Sequence, residues 1–135
     1  MKKKKSSMSD VQRLLNAWVM RLAHHLQDEE RVDLSFALKR AHATSFILQE
    51  LGKGVVEFAY YKADGSFRDA KGTLCKGISE EFDNYQSKGN GSHKDNSNTE
   101  GVYTYWDLEA NGFRTFKAIS VAAVIHSKRR VFIDE

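Results

Sequence analysis

Aromatic and basic side chains are interleaved along two segments of the sequence, residues 55–74 and 102–119. Nucleic-acid bases stack on aromatic rings and Lys or Arg neutralises phosphates, so this composition is typical of a surface that binds single-stranded nucleic acid. The candidate side chains are Tyr61, Arg68, Lys71, Trp106, Arg114 and Lys117, together with the basic run Lys128, Arg129 and Arg130. Alternate residues of a strand face opposite sides, so a competing interpretation places half of the aromatic rings in a core.

The overall charge gives little support to a basic binding face. The formal net charge is +3, but it becomes −1 when the four lysines at positions 2–5 are left out. Acidic residues also occur on the two aromatic segments, namely Glu57, Asp69, Asp107 and Glu109. The basic character therefore belongs to the N-terminal tail, where any binding to an anionic partner would depend strongly on salt.

No metal or catalytic site is predicted. The five histidines, His24, His25, His42, His93 and His126, lack the spacing of zinc ligands, and Cys75 is the only cysteine. Neither an acid–base pair nor a glycine-rich phosphate loop is present, so we expect a non-enzymatic protein without cofactors. A lone cysteine and the lack of a long apolar run favour a soluble, cytosolic protein without a membrane span.

Two amphipathic helices are predicted within residues 9–53, after a disordered basic tail at residues 1–8. Ser9 and Gln12 have the spacing of a capping box, and Asp33 is placed to cap the second helix, which ends at Gly52 or Gly54. The first helix carries apolar residues at helical spacing, of which we single out Val11, Leu15, Trp18 and Leu22 as candidates for an interaction surface. This stripe must pack on the rest of the domain or on a second copy of the chain.

Two tight β-hairpins follow, with type I′ turns predicted at Asp64-Gly65 and Asn111-Gly112 because these residues tolerate positive φ. The resulting pairs are Tyr61 with Arg68 and Phe58 with Lys71 in the first hairpin, and Glu109 with Arg114 and Trp106 with Lys117 in the second. Compatible cross-strand neighbours support both registers.

The segments around the hairpins complete the predicted domain at residues 54–135. Ile78, Phe82 and Tyr85 predict a short helical turn, and the polar segment at about residues 86–101 predicts a mobile loop. A fifth strand is expected in the C-terminal segment. The predicted fold is α+β: an N-terminal helical hairpin packed on a small five-stranded antiparallel β-barrel.

Residues 54–74, 105–109 and 113–117, preceded by the helical segment 34–41, resemble the small WYL-like, Sm-type SH3 β-barrel proteins of bacteriophages and mobile elements. The resemblance covers roughly residues 34–125. It implies that the barrel is SH3-like (Sm-like) and that the protein is found in the cytoplasm of a bacterial host cell. It also implies nucleic-acid or nucleotide binding and assembly as roles to test. The basic ligand-binding cluster of larger WYL domains has no residue-by-residue match in this sequence.

Three functional hypotheses follow from the sequence. The first is nucleic-acid binding through the aromatic and basic strand face, helped by the tail and residues 128–130. The second is a protein-interaction or assembly module, in which the first helix binds a host protein or a second copy. The third is binding of a nucleotide-like ligand that acts as a host-defence signal.

Overall fold

A computed structural model describes residues 6–87, 100–126 and 128–134 of the chain. Two helices lead into six strands, with a short helix between the second and third strands. The bounds are α1 Ser6–Glu30, α2 Leu34–Lys53, β1 Val55–Tyr61, β2 Phe67–Thr73, α3 Glu80–Ser87, β3 Val102–Asp107, β4 Gly112–Lys117, a 3₁₀ turn Ala118–Ser120, β5 Val121–His126 and β6 Arg129–Phe132.

The two N-terminal helices form as predicted, but their caps differ. Helix α1 begins at Ser6, so Ser9 lies inside the helix and the predicted capping box is wrong. Helix α2 begins directly after Asp33, whose side chain makes no capping hydrogen bond; its carbonyl oxygen accepts the Ala37 N–H instead. At the other end the Gly54 N–H donates to the Glu50 carbonyl, which closes the last turn.

The strands form one antiparallel sheet in the order β4-β3-β2-β1-β5-β6. The α+β prediction is confirmed. Six strands replace the predicted five, since β5 turns back through Lys128, at φ 65°, into β6. The outermost strands, β4 and β6, are not paired with each other in the described residues, so the sheet is not closed into a barrel there.

In the first hairpin the register is one residue away from the prediction. Tyr61 pairs with Phe67 and Tyr60 with Arg68. The Gly65 N–H donates to the Lys62 carbonyl, and Gly65 has φ 89°, so a type I turn followed by a glycine bulge connects the strands. This extra residue moves Arg68 to the opposite face from Tyr61.

In the second hairpin the register is four residues away from the prediction. Trp106 pairs with Phe113 and Tyr105 with Arg114. The connection contains residues 108–111, and Asn111 has φ 55°, so the positive-φ residue closes a longer loop. The predicted pairs of Glu109 with Arg114 and Trp106 with Lys117 are therefore wrong.

The main core lies between α2 and one face of the sheet, which we call the inner face. Its apolar residues include Ile47 and Leu51 of α2 and Phe58, Tyr105 and Phe116 of the sheet. A second cluster joins α1 to α2 and contains Val19, Leu22, Ala23, Leu26, Ala37, Ala41 and Ala118. Helix α2 contributes to both clusters and so fixes α1 relative to the sheet.

The predicted tail and loop lie mostly outside the described residues. Of residues 1–8, only 6–8 are described, and they belong to α1. Of residues 86–101, the first two belong to α3 and the last two form a turn before β3.

Candidate interaction surfaces

Two exposed aromatic rings stand together at the tip of the first hairpin. Tyr61 and Phe67 are cross-strand partners, with ring centroids 5.4 Å apart and an interplanar angle of 70°. The two residues remain 50% and 42% exposed. Antiparallel pairing places both side chains on the outer face of the sheet, opposite to α2.

A cation and a third ring lie on the same outer face. Phe132 pairs with Ala123, which pairs with Ala59, so these residues form one row across the sheet. Arg130 lies two residues before Phe132, and its guanidinium is 5.8 Å from that ring. Arg130 Nη2 donates to Asp69 Oδ1 at 2.9 Å, and this ion pair crosses the sheet near the buried Ala59 and Ala123.

We call Tyr61, Phe67, Lys71, Arg130 and Phe132 the outer aromatic surface. Its charges are nearly balanced, because Lys71 lies opposite Glu57 and Arg130 is paired with Asp69. This surface therefore offers stacking and hydrogen bonding to a partner, and its net charge is close to zero.

Arg68 and Arg114 lie on the inner-face register and not on the outer aromatic surface. Arg68 is opposite the buried Tyr60. Arg114 is opposite Tyr105, and its Nε donates to Asp107 Oδ2 at 2.7 Å. The aromatic and basic residues of the sequence are thus divided between two faces.

Trp106 is 4% exposed and lies beneath α3. Its ring centroid is 5.6 Å from that of Phe82, 6.0 Å from Tyr85 and 5.0 Å from Phe113. The short helical turn predicted for Phe82 and Tyr85 is confirmed by α3, whereas Ile78 precedes it and is exposed. The sequence signal for α3 was present, but the ring that it covers follows only from the packing.

The remaining basic candidates are exposed at the ends of strands. Lys117 is the last residue of β4, Lys128 lies in the turn between β5 and β6, and Arg129 is the first residue of β6, directly before Arg130. Lys128 also lines a cleft of about 500 Å³ together with Glu50 and Glu57. Carboxylates thus lie close to this cation as well.

A separate apolar groove runs between α1 and α2. It has a volume of about 470 Å³, and we call it the helix groove; its lining residues are Val11, Leu14, Leu15, Trp18, Ser45, Leu48 and Gln49. Val11 and Leu14 are 59% and 72% exposed. The first half of α1 therefore presents an apolar stripe to solvent.

Three of the four predicted interaction residues on α1 line the helix groove, namely Val11, Leu15 and Trp18. Leu22 is 1% exposed and belongs to the core between α1 and α2, so it is not available to a partner. Leu14 completes the groove. It has the helical spacing of the stripe, although it was not among the selected interaction residues.

The described residues contain no group of three or more His, Cys, Asp or Glu side chains placed to hold a metal ion. Within the same residues, none of the helices combines the length and apolar character needed to cross a membrane. Burial raises the pKa of Tyr105, and its hydrogen bond with Tyr60 raises it further.

Comparison with known proteins identifies one family. The family model described as WYL_2, Sm-like SH3 beta-barrel fold, matches residues 45–120, which is more than half of the chain. No curated protein and no solved structure matches the chain. The matched residues run from the middle of α2 to the end of the 3₁₀ turn, so α1 lies wholly outside the match.

Proposed function

Because this chain belongs to the WYL_2 family of Sm-like SH3 β-barrel proteins, as its sequence predicted, we propose that it is a non-enzymatic protein that binds single-stranded nucleic acid. The observation that carries the proposal is the exposed Tyr61–Phe67 ring pair, which lies on the same face of the sheet as Phe132 and Arg130. Successive unpaired bases stack on such rings, and the nearby guanidinium binds a phosphate or stacks in turn.

The balanced charge of the outer aromatic surface determines the kind of binding that we propose. Glu57 and Asp69 neutralise much of the field of Lys71 and Arg130. Affinity then comes mainly from stacking, at about 1–3 kcal/mol per base. Lys128 and Arg129, which are exposed next to Arg130, supply the phosphate contacts that make this binding salt-dependent.

Fluorescence anisotropy with a labelled oligothymidylate tests the proposal, using the same sequence as a duplex for comparison. Tyr61→Ala and Phe132→Ala should each weaken single-strand binding about 5- to 150-fold, which corresponds to the loss of one stacking contact. Val131→Ala is the matched control, because Val131 is exposed beside Phe132 but points to the other side of β6. No binding at low salt would refute the proposal.

A second set of variants tests which of the basic residues predicted from the sequence contact the nucleic acid. Lys128→Ala and Arg129→Ala should weaken binding and reduce its salt dependence. Lys117→Ala should leave both unchanged, because Lys117 lies at the far edge strand of the sheet. Equal effects at all three positions would favour a diffuse electrostatic contact.

The second candidate function is a protein-interaction or assembly module. The specific observation in its favour is the helix groove, where Val11 and Leu14 are exposed on a helix outside the family match.

The predicted cytoplasmic location and mobile-element origin stay predictions.

A further inference from the structure

We propose that the helix groove is occupied by α1 of a second copy of this chain, in an antiparallel arrangement about a twofold axis. The inference deepens the second candidate function by naming its partner, and it does not depend on nucleic-acid binding. The groove and the outer aromatic surface lie on different elements, α1 and α2 against the strands. Each surface is therefore testable while the other is intact.

Helix α1 is unequally buried along its length. Val19, Leu22, Ala23 and Leu26, in its second half, are buried against α2. In its first half, Val11 and Leu14 are exposed and Leu15 and Trp18 are partly exposed, although all four continue the helical spacing of the stripe. A contiguous apolar stripe of this kind on a soluble protein marks an interaction surface.

The two ends of the exposed stripe carry opposite charges. Asp10 lies four residues before Leu14, and Arg21 lies seven residues after it, so all three fall on the same side of α1. Both charged residues are exposed. The stripe thus runs from an acidic end to a basic end.

An antiparallel α1 helix of a second copy has the complementary charges. When two α1 helices pack antiparallel with their centres between residues 15 and 16, Asp10 of one copy lies opposite Arg21 of the other, twice by symmetry. The apolar residues between them then meet across the axis. Asp10 is ion-paired with Arg13 in the single chain, but both side chains are exposed, so exchanging that partner costs little.

The size of the contact sets the expected strength. Residues 10–21 extend about 17 Å along a helix, at about 1.5 Å per residue. A contact of this length falls at the small end of specific interfaces, below about 1,200 Å² in total. We therefore expect a dimer whose population rises over the micromolar range.

Sedimentation velocity of the full chain from low to high micromolar concentration measures this equilibrium. The wild type should shift from its monomer mass of 15.4 kDa to twice that mass. Leu14→Glu should raise the dissociation constant at least tenfold, and circular dichroism should show an unchanged fold because Leu14 is exposed. Asn16→Glu is the matched control, since it adds the same charge to the same helix on the side away from the groove.

A charge exchange identifies the antiparallel second copy. Asp10→Arg and Arg21→Asp should each weaken the dimer, and the double variant should restore it to near the wild-type constant. A chain that stays monomeric at high micromolar concentration would overturn the proposal, and so would a dimer that Leu14→Glu does not weaken. Loss of oligonucleotide binding by Tyr61→Ala with an intact dimer would leave this proposal standing.

Discussion

Arg114 Nε donates a hydrogen bond to Asp107 Oδ2 at 2.7 Å, on the inner face of the sheet. The other oxygen of the same carboxylate accepts the N–H groups of Glu109 and Ala110 at 2.8 and 3.0 Å. Asp107 therefore holds the loop between β3 and β4 and one guanidinium at once. Arg114 is therefore engaged in maintaining this hairpin and is not part of the outer aromatic surface.

Asp107→Ala should destabilise the protein by about 2–4 kcal/mol, because it leaves two backbone N–H groups and a partly buried guanidinium without their acceptor. Urea unfolding followed by circular dichroism measures this change. Glu109→Ala is the control in the same loop, since the Glu109 side chain is exposed and only its N–H takes part. A loss below about 1 kcal/mol for Asp107→Ala would show that the loop is held by other contacts.

Gly72→Ala should destabilise the protein by about 1–3 kcal/mol, the usual cost of overpacking a core. A Cβ at this position would overlap the ring of Tyr105, which is fully buried. Gly52→Ala gives the opposite sign, because nothing lies near its added Cβ and alanine favours a helix by about 1 kcal/mol over glycine. Thermal unfolding of the two variants compares them directly, and equal shifts would contradict the packing.

The hydroxyls of Tyr60 and Tyr105 lie 2.9 Å apart in the core. Tyr60→Phe or Tyr105→Phe alone should cost about 1–3 kcal/mol, because each leaves the remaining hydroxyl buried without its partner. The double variant should cost clearly less than the two single losses together. A double-variant cycle by urea unfolding gives the coupling energy, and strict additivity would mean that the hydroxyls do not interact.

The C-terminal end is held to α2 by Arg40, whose Nη2 donates to Asp134 Oδ2 at 2.5 Å. This hydrogen bond lowers the pKa of Asp134 below its ordinary value of 3.8. The unfolded chain therefore binds a proton more readily, so the stabilisation is complete above about pH 3.8 and disappears as the pH falls through the folded value.

Asp134→Asn should cost about 1 kcal/mol at neutral pH, a low figure for a charged hydrogen bond because Asp134 is exposed. The difference from wild type should shrink below pH 3.8 in urea unfolding at a series of pH values. The exposed Asp28→Asn variant controls for the removal of one negative charge. A difference that does not change between pH 6 and pH 2.5 would contradict this account.

Local sequence signals predicted the elements better than their registers. Asp64-Gly65 and Asn111-Gly112 mark both hairpins correctly, because positive φ is needed near each turn. The predicted number of residues in each connection was wrong. The first hairpin has a bulge at Gly65, and the second has a four-residue loop before Gly112 that is held by hydrogen bonds to Asp107. A shift of one residue is enough to exchange the faces of a strand.

Prediction of the candidate surface depended on that register. Tyr61 and Arg130 are exposed on the outer face, whereas Trp106 is covered by α3. Phe67 and Phe132 were not selected, because composition alone does not say which of many aromatic residues remain exposed. Leu14 was not selected either, because helical spacing alone does not say which part of the apolar stripe stays exposed.

The sequence alone determined the α+β class, the two N-terminal helices, both hairpins and the WYL-like family, since periodicity, turn residues and family motifs are local properties. The tertiary structure decided which face each aromatic or basic side chain occupies. That choice depends on strand register and on the covering helices α2 and α3, which lie far from the affected residues in sequence. As a result, Tyr61 lies on the opposite face of the sheet from Arg68 and Arg114. The packing of α1 on α2 likewise leaves the first half of α1 exposed.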